Sequence, residues 1–259
     1  MNFMEVLLSC MSSSPIEVVK RTNVVSDITV VNQCSNDCIS KTCTENGYRL
    51  QIIDSSESGL SKSRNMAIRY AGSDICLLCD DDEILYDNYA NLIESAFKEN
   101  PDADLIAFAL DYSDKKYPKK KKKIGYLSAL KISSVQIAFR RKAIIENNIV
   151  FDERLGAGTG NGAGEEQKFL YDCIKAGLNI IFLPIYIGKV ISDSPSSWFH
   201  GYTKEYFFNR GWVHRIIFGL FFACAYNIYF SIAKYKLYKL DISFLTTITS
   251  AFRGTFSKK

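Results

Sequence analysis

From Glu5 to about Leu110, short apolar runs alternate with segments of helical period. This alternation is the signature of stacked βαβ units around a largely parallel sheet. Strands are expected at residues 6–9, 28–32, 50–53, 75–79 and 105–110. Between them, Ser14 followed by Pro15 reads as a helix cap with proline in the first turn. Leu60, Met66, Ala67 and Tyr70 fall on helical spacing over 60–70, and a further helix over 87–98 closes at Asn100-Pro101. With 259 residues, 47% of them hydrophobic, the chain can bury a substantial core.

The middle is less regular. An exposed tract, SDKKYPKKKKK, interrupts the pattern, and SSVQIAFRRKAI reads as a strand running into a short helix. A glycine-rich loop follows over 156–164. EEQKFLYDCIKAGLN then carries a helical stripe of Phe169, Leu170, Cys173 and Ile174 ended by Gly177, and IIFLP reads as a buried strand stopped by Pro184.

The eight cysteines do not form a metal pattern: Cys34, Cys38 and Cys43 lie in a loop-like stretch, and Cys76 and Cys79 lie inside an apolar run with no second pair nearby. The chain opens on the strand-like EVLLSC rather than on a cleavable leader, so free thiols in a reducing cytoplasm are expected. A net charge of +4 is small against 32 basic and 28 acidic residues, so nothing global points to a nucleic-acid binder and none is expected as a partner.

The last segment differs in kind. Residues 216–232, IIFGLFFACAYNIYFSI, carry no charge and are flanked by Arg210, His214 and Arg215 on one side and Lys234, Lys236 and Lys239 on the other. The run is at the short edge of what spans a bilayer, roughly 17 to 25 residues, and Asn227 interrupts it. A helix lying in the membrane interface, with Trp212 and the tyrosines at headgroup level, is the favoured reading; a hydrophobic helix packed on the domain or a partner is the alternative. The division is therefore 1–200 for an α/β domain and 201–259 for a membrane-associating helical tail.

The sharpest local feature is LLCDDDE, an apolar strand ending in Asp80, Asp81, Asp82 and Glu83. The carboxyl ends of strands in open α/β sheets are where ligands bind. Carboxylates packed this closely repel one another unless a cation is shared, and oxygen ligands suit Mg²⁺ or Mn²⁺ bridged to substrate phosphates. A solvated acidic turn capping the next helix is the other reading.

The stretch SGLSKSRNMAIRYAGSDICLLCDDDEIL resembles the core signature of family 2 glycosyltransferases, a G-L-S-x-x-R-N segment followed by a strand ending in D-x-D. Gly59, Leu60, Ser61, Arg64 and Asn65 match the first part and Asp80 and Asp82 the second. The resemblance implies an α/β GT-A fold, Rossmann-like, with a mostly parallel central sheet. It implies that Asp80 and Asp82 hold Mn²⁺ or Mg²⁺ on the donor diphosphate, with Arg64, Asn65 and Asp81 shaping the donor site. FDERLGAGTGNGAGEEQKFLYDCIKAGLNIIFLP resembles the family's F-D-E, glycine loop and G-E-D sequence, which assigns the catalytic base to Glu166, preceded by Glu165. Glu is one methylene longer than the usual Asp, a departure that puts the ranking of the two glutamates in question.

Two more departures follow. Many relatives carry an Asp after the second strand that pairs with the nucleobase, where this chain has Asn32, an uncharged donor and acceptor. Many also carry a His after the last strand, where this chain offers only Asp193 or the later His200. The lysines 119–123 either attract an anionic lipid, acceptor or donor, or form a solvated loop, and are left outside the site.

The implied activity is an inverting single displacement from a nucleotide-diphosphate sugar, UDP by default, to a glycan or lipid-linked acceptor in surface polysaccharide biosynthesis, at the cytoplasmic face of the cell membrane as a peripheral or monotopic protein. Two rivals are an aspartate-dependent phosphatase, disfavoured by the depth of the acidic cluster in the chain, and a non-enzymatic membrane-bound partner that keeps the fold.

Overall fold

The computed structural model describes residues 4–112, 115–191, 199 and 201–258. Its strands are β1 (Met4–Cys10), β2 (Asp27–Gln33), β3 (Cys38–Cys43), β4 (Arg49–Ser55), β5 (Ile75–Asp80), β6 (Glu83–Leu85), β7 (Leu105–Asp111), β8 (Lys122–Lys123), β9 (Ile137–Arg140) and β10 (Ile180–Val190). The helices are α1 (Pro15–Arg21), α2 (Leu60–Tyr70), α3 (Tyr89–Glu99), α4 (Tyr126–Ala129), α5 (Arg141–Glu146), α6 (Glu165–Lys175), α7 (Lys204–Ala233), α8 (Tyr235–Tyr238) and α9 (Phe244–Phe256).

All ten strands join one sheet in the order β3-β4-β2-β1-β5-β9-β7-β10-β6, with β8 on β10. The half formed by β4, β2, β1 and β5 is parallel, as expected. The second half is mixed, because β9 runs antiparallel between β5 and β7, and β10 is parallel to β7. Strands β5 and β7 therefore point the same way, and the carboxyl ends of the parallel strands share one edge.

Parallel strands are covered on both faces, so they read as continuous apolar runs. Here Val6, Leu8, Leu77 and Cys79 enter one core, while Leu7, Cys76 and Leu78 enter the other. Cys76 and Cys79 thus lie on opposite faces of β5 and share no site.

Three expectations need correction. The cysteine-bearing stretch expected as loop contains β3, an edge strand exposed along its whole length; with no buried face it carries no apolar alternation to reveal it. The last strand does not stop at Pro184 but continues to Val190, and its pairing with β7 shifts register between Phe182 and Tyr186. Proline lacks a ladder N–H and is tolerated at such an irregularity. The lysine tract is pinned, since Lys122 and Lys123 pair with Phe182 and Ile181. Val190, at the other end of β10, pairs with Glu83, so the lysines lie roughly 25 Å along the strand from the acidic cluster. Ser14 precedes α1 as expected, but its side chain makes no capping bond.

The tail is a helical hairpin rather than one rod. Gly219 has φ 76 and ψ 172 inside α7, a backbone conformation that glycine adopts readily. Phe207 and Phe230 are 6.5 Å apart between ring centroids, whereas a straight helix would separate them by about 34 Å. Residues 204–218 and 220–233 therefore fold back on each other. The α7 sequence is long and apolar enough to cross a membrane by length and composition, but each arm is about 21 to 23 Å long, short of the ~30 Å hydrocarbon core.

Helix α9 completes the tail by close backbone approach. A Cβ on Gly211 would overlap the carbonyl of Ala251, and one on Gly254 would overlap the carbonyl of Phe208. Buried Asn227 bridges His214 Nδ1 at 2.5 Å and Thr255 Oγ1 at 2.7 Å, satisfying the polar group that interrupts the apolar run. Trp212, expected at headgroup level, is only 5% exposed and packs with Val213 against Leu155. Its burial joins the tail to the segment that precedes α6.

Gly211→Ala and Gly254→Ala should each cost about 1 to 3 kcal/mol, because the clash is with backbone that cannot rotate away. A loss of several degrees in thermal melts is expected, at about 2 to 4 °C per kcal/mol for a chain near this size. Parent-like melting of both variants would refute the close packing of α7 on α9.

Candidate active site

The acidic run lies where strands β1, β2 and β5 end together. Ser9 pairs with Asp80 and Cys10 with Asn32, so Asp80 and Asn32 flank the end of β1 about 10 Å apart. Asp81 and Asp82 form the turn from β5 into β6. Two backbone contacts fix this turn: Arg21 donates to the Asp81 carbonyl at 2.7 Å, and the Ile191 amide donates to the Asp82 carbonyl at 2.8 Å.

Crowding perturbs these carboxyls. Burial and then the Asp80 charge raise Asp81, and burial, Asp80 and Asp81 raise Asp82. Glu83 is buried, and burial followed by the Asp80 charge raises it well above the usual carboxylate range. A divalent cation would relieve this repulsion, and its oxygen donors fit the residues present. Among the described residues no three His, Cys, Asp or Glu side chains form a cage. Asp80 and Asp82 would thus supply two of the donors, with substrate oxygens and water supplying the rest.

Arg64 is the centre of the site. It is 2% exposed on α2. Its Nη2 donates to both Asp80 oxygens at 3.0 and 3.1 Å and to Ser134 Oγ at 2.8 Å, and its Nη1 donates to Glu165 Oε1 at 3.3 Å. One guanidinium thereby joins the strand-end acidic cluster to the first turn of α6. Burial of the guanidinium disfavours its charge, but the Asp80 and Glu165 carboxylates outweigh that cost and raise its pKa.

The neighbouring signature residues are stitches. Asn65 donates to the Phe151 carbonyl at 2.9 Å and accepts from the Phe151 amide at 2.7 Å. Ser61 donates to the Leu155 carbonyl at 2.6 Å, and the Leu60 amide to the Ala157 carbonyl at 3.0 Å. The start of α2 is thus bonded along the F-D-E segment and into the glycine loop. Gly158, at φ +85, lets the loop close on this helix, since a Cβ there would press on the Gly59 backbone.

The two glutamates at the start of α6 differ in environment. Glu165 is ion-paired with Arg64. Glu166 accepts from Gln167 at 2.9 Å through Oε1. Burial and then the Glu165 charge raise the Glu166 carboxyl far above the usual range. A carboxyl raised toward the working pH suits the role of a general base.

Asn32 is buried, and its amide is engaged on both sides. Its Oδ1 accepts from the Ser12 amide at 2.9 Å, and its Nδ2 donates to Asp54 Oδ1 at 2.7 Å. It orders the strand ends and presents Asp54 beside them. Asp193 and His200 lie outside the described residues.

Sequence reasoning missed Ser134 and Lys115. Lys115 donates to Ser133 Oγ and Gln136 Oε1, both at 2.6 Å, and is lowered by burial against an opposing pull from Glu166. Ser134 meets Arg64 across seventy residues of chain, a contact with no local signal. Glu83 was legible as acidic but not as buried.

Comparisons with known proteins agree with this geometry. Residues 16–158 match the family described as Glycosyl transferase family 2. No curated protein matches. Among solved structures, S. aureus TarS 1-349 in complex with UDP-GlcNAc aligns with TM-score 0.67 at 15% identity, over 95% of this chain and 79% of that one. Full S. aureus TarS aligns with TM-score 0.59 at 16% identity, over 100% of this chain and 44% of that one. The mannosyltransferase PcManGT from Pyrobaculum calidifontis, with GDP-Man and Mn²⁺, aligns with TM-score 0.55 at 13% identity, over 99% and 88%. At these identities the structural likeness carries the GT-A fold, while the family match spans α2, the acidic strand end and the first glycines of the loop: the chain belongs to glycosyl transferase family 2 and is a glycosyltransferase.

Proposed function

We propose that this enzyme is an inverting, divalent-cation-dependent transferase that moves a sugar from a nucleotide-diphosphate sugar, UDP by default, to a glycan or lipid-linked acceptor in surface polysaccharide assembly. The observation that carries this reading is the Arg64 bridge, which holds the carboxylates of Asp80 and Glu165 on one guanidinium with Glu166 next in the chain. The UDP-GlcNAc complex of TarS and the GDP-Man and Mn²⁺ complex of PcManGT support the donor class and the cation.

In the proposed reaction Glu166 takes the proton of the acceptor hydroxyl as its oxygen attacks the anomeric carbon, and the nucleoside diphosphate departs from the opposite face. With one displacement and no enzyme nucleophile, configuration inverts. A bound cation would supply charge neutralisation at the leaving diphosphate, held by Asp80 and Asp82. Arg64 keeps Asp80 oriented and pairs with Glu165, which leaves Glu166 as the glutamate outside that ion pair. The phosphatase reading loses its basis with the family match.

We assign residues 1–200 to catalysis and 201–259 to the membrane surface, at its cytoplasmic face. Phe221 and Leu240, 81% and 92% exposed, head an apolar face of the tail, with Phe222, Tyr229, Leu237 and Leu245 also exposed. Exposed Lys234, Lys236 and Lys239 border it, and basic residues beside an apolar face suit an anionic bilayer surface.

Asp82→Ala should remove Mn²⁺-dependent UDP binding without unfolding the chain, since it relieves like-charge crowding. Calorimetry showing unchanged Mn²⁺-dependent UDP binding would sink the cation assignment.

Glu166→Gln should lower transfer by about 10² to 10⁴-fold with UDP affinity preserved, and Glu165→Gln should be milder. The parent rate should rise with pH through a range above ordinary carboxylates, because the base must be ionised. A group raised on folding loses stability as pH rises above its unfolded value, near 4.3. Glu166→Gln should therefore melt above the parent at pH 8, with the gap closing toward pH 4. Near-normal transfer by Glu166→Gln beside a dead Glu165→Gln would transfer the role to Glu165.

The full chain carrying Phe221→Ser and Leu240→Ser should sediment less with anionic vesicles than the parent. Equal sedimentation would exclude this face as the anchor.

A further inference from the structure

Between α6 and the folded-back arms of α7 lies a cavity of about 450 Å³, whose lining includes Glu166, Tyr206, Arg210, His214, Tyr226 and Lys234. Only Glu166 among these six belongs to the catalytic domain. The others come from the tail, and all six lie beyond residue 158, where the segment matched to the family ends. The hairpin at Gly219 thus folds a wall onto the base as well as presenting an apolar outer face.

The chemistry of that wall is selective. The Arg210 guanidinium lies 5.3 Å from the Tyr206 ring centroid. Tyr226 packs edge-on to His214 at 4.7 Å and against Phe218 at 4.8 Å. Burial pushes His214 down to about 4, so it is neutral, and the cavity's fixed positive charge comes from Arg210 and Lys234. Aromatic walls suit the apolar face of a sugar ring, and a guanidinium with an ammonium suits phosphate. At the strand end, by contrast, Asp80, Asp81 and Asp82 would repel a phosphate that brings no cation. Glu166 itself lines this cavity, so an acceptor hydroxyl bound there would lie beside the base.

We propose that this cavity is the acceptor subsite and that it takes a sugar bearing a phosphate, with the ring against the tail aromatics and the phosphate on Arg210 and Lys234. The assignment rests on the transferase reading given above, with Glu166 as base. The sugar phosphate is either soluble or carried on a lipid, and the shared chemistry is the glycosyl phosphate itself.

The test is calorimetry on the full chain with glucose 1-phosphate, with dodecyl glucosyl phosphate in neutral detergent, and with dodecyl glucoside as the uncharged control. Both phosphates should bind the parent. Arg210→Gln and Lys234→Gln should each weaken them about ten- to a hundredfold, the worth of a charge-assisted hydrogen bond. Binding of the control should change little in the same variants, and UDP affinity with Mn²⁺ should stay within about twofold. Arg210→Lys should restore part of the affinity, and Lys234→Gln, at an exposed helix end, tests the idea even if Arg210→Gln misfolds. Tighter binding of the dodecyl compound than of glucose 1-phosphate assigns a lipid-borne acceptor; equal binding assigns a soluble one. Failure of both phosphates to bind a parent that binds UDP overturns the subsite alone, as does parallel loss of UDP and sugar phosphate in the variants. A parent that binds no nucleotide overturns the underlying transferase reading instead.

Discussion

A single buried guanidinium organises this enzyme. Arg64 meets Asp80 from a strand end, Glu165 from a helix start and Ser134 from the turn before β9, so three remote segments share one positive charge. A buried cation without partners is costly, and a buried carboxylate likewise. Together they hold a geometry that none would hold alone. The arrangement also sorts the two glutamates: Glu165 is paired with Arg64, while Glu166, outside that pair, is raised by burial and by the Glu165 charge.

The polar residues around Arg64 serve its placement. Asn65 binds both backbone groups of Phe151, and Ser61 binds Leu155. These bonds pin the start of α2 to the F-D-E segment and the glycine loop, and the rings of Phe151 and Phe169 stack at 4.2 Å beneath. The strain left in the site is electrostatic: burial and the Asp80 charge raise Asp81, Asp82 and Glu83, and burial and the Glu165 charge raise Glu166. Such groups cluster where chemistry occurs.

The tail shows how one segment meets two demands. Its inner side is built from small residues and a satisfied polar network, with Gly211 against Ala251, Gly254 against Phe208, and Asn227 between His214 and Thr255. Its outer side keeps large apolar residues in the open. An amphipathic pattern of this kind is averaged away in a plain hydropathy scan, because two antiparallel arms and α9 share the burial.

Local chemistry made much of the enzyme legible in its residues. Parallel strands buried on both faces need continuous apolar runs, so β1, β2, β4, β5 and β7 were readable, as was the acidic end of β5 and the helix begun by Glu165 and Glu166. Features without local periodicity were not: the exposed edge strand at Cys38–Cys43, the passage of β10 through Pro184, and the reversal at Gly219. Long-range partnership was invisible for a different reason. Arg64 looks like any helix arginine until folding brings Asp80, Ser134 and Glu165 to it, and Trp212 looks like an interfacial anchor until α7 folds back and sets it on Leu155. Periodicity records which face of an element is buried; only tertiary packing decides which charge meets which, because that depends on segments far apart in the chain.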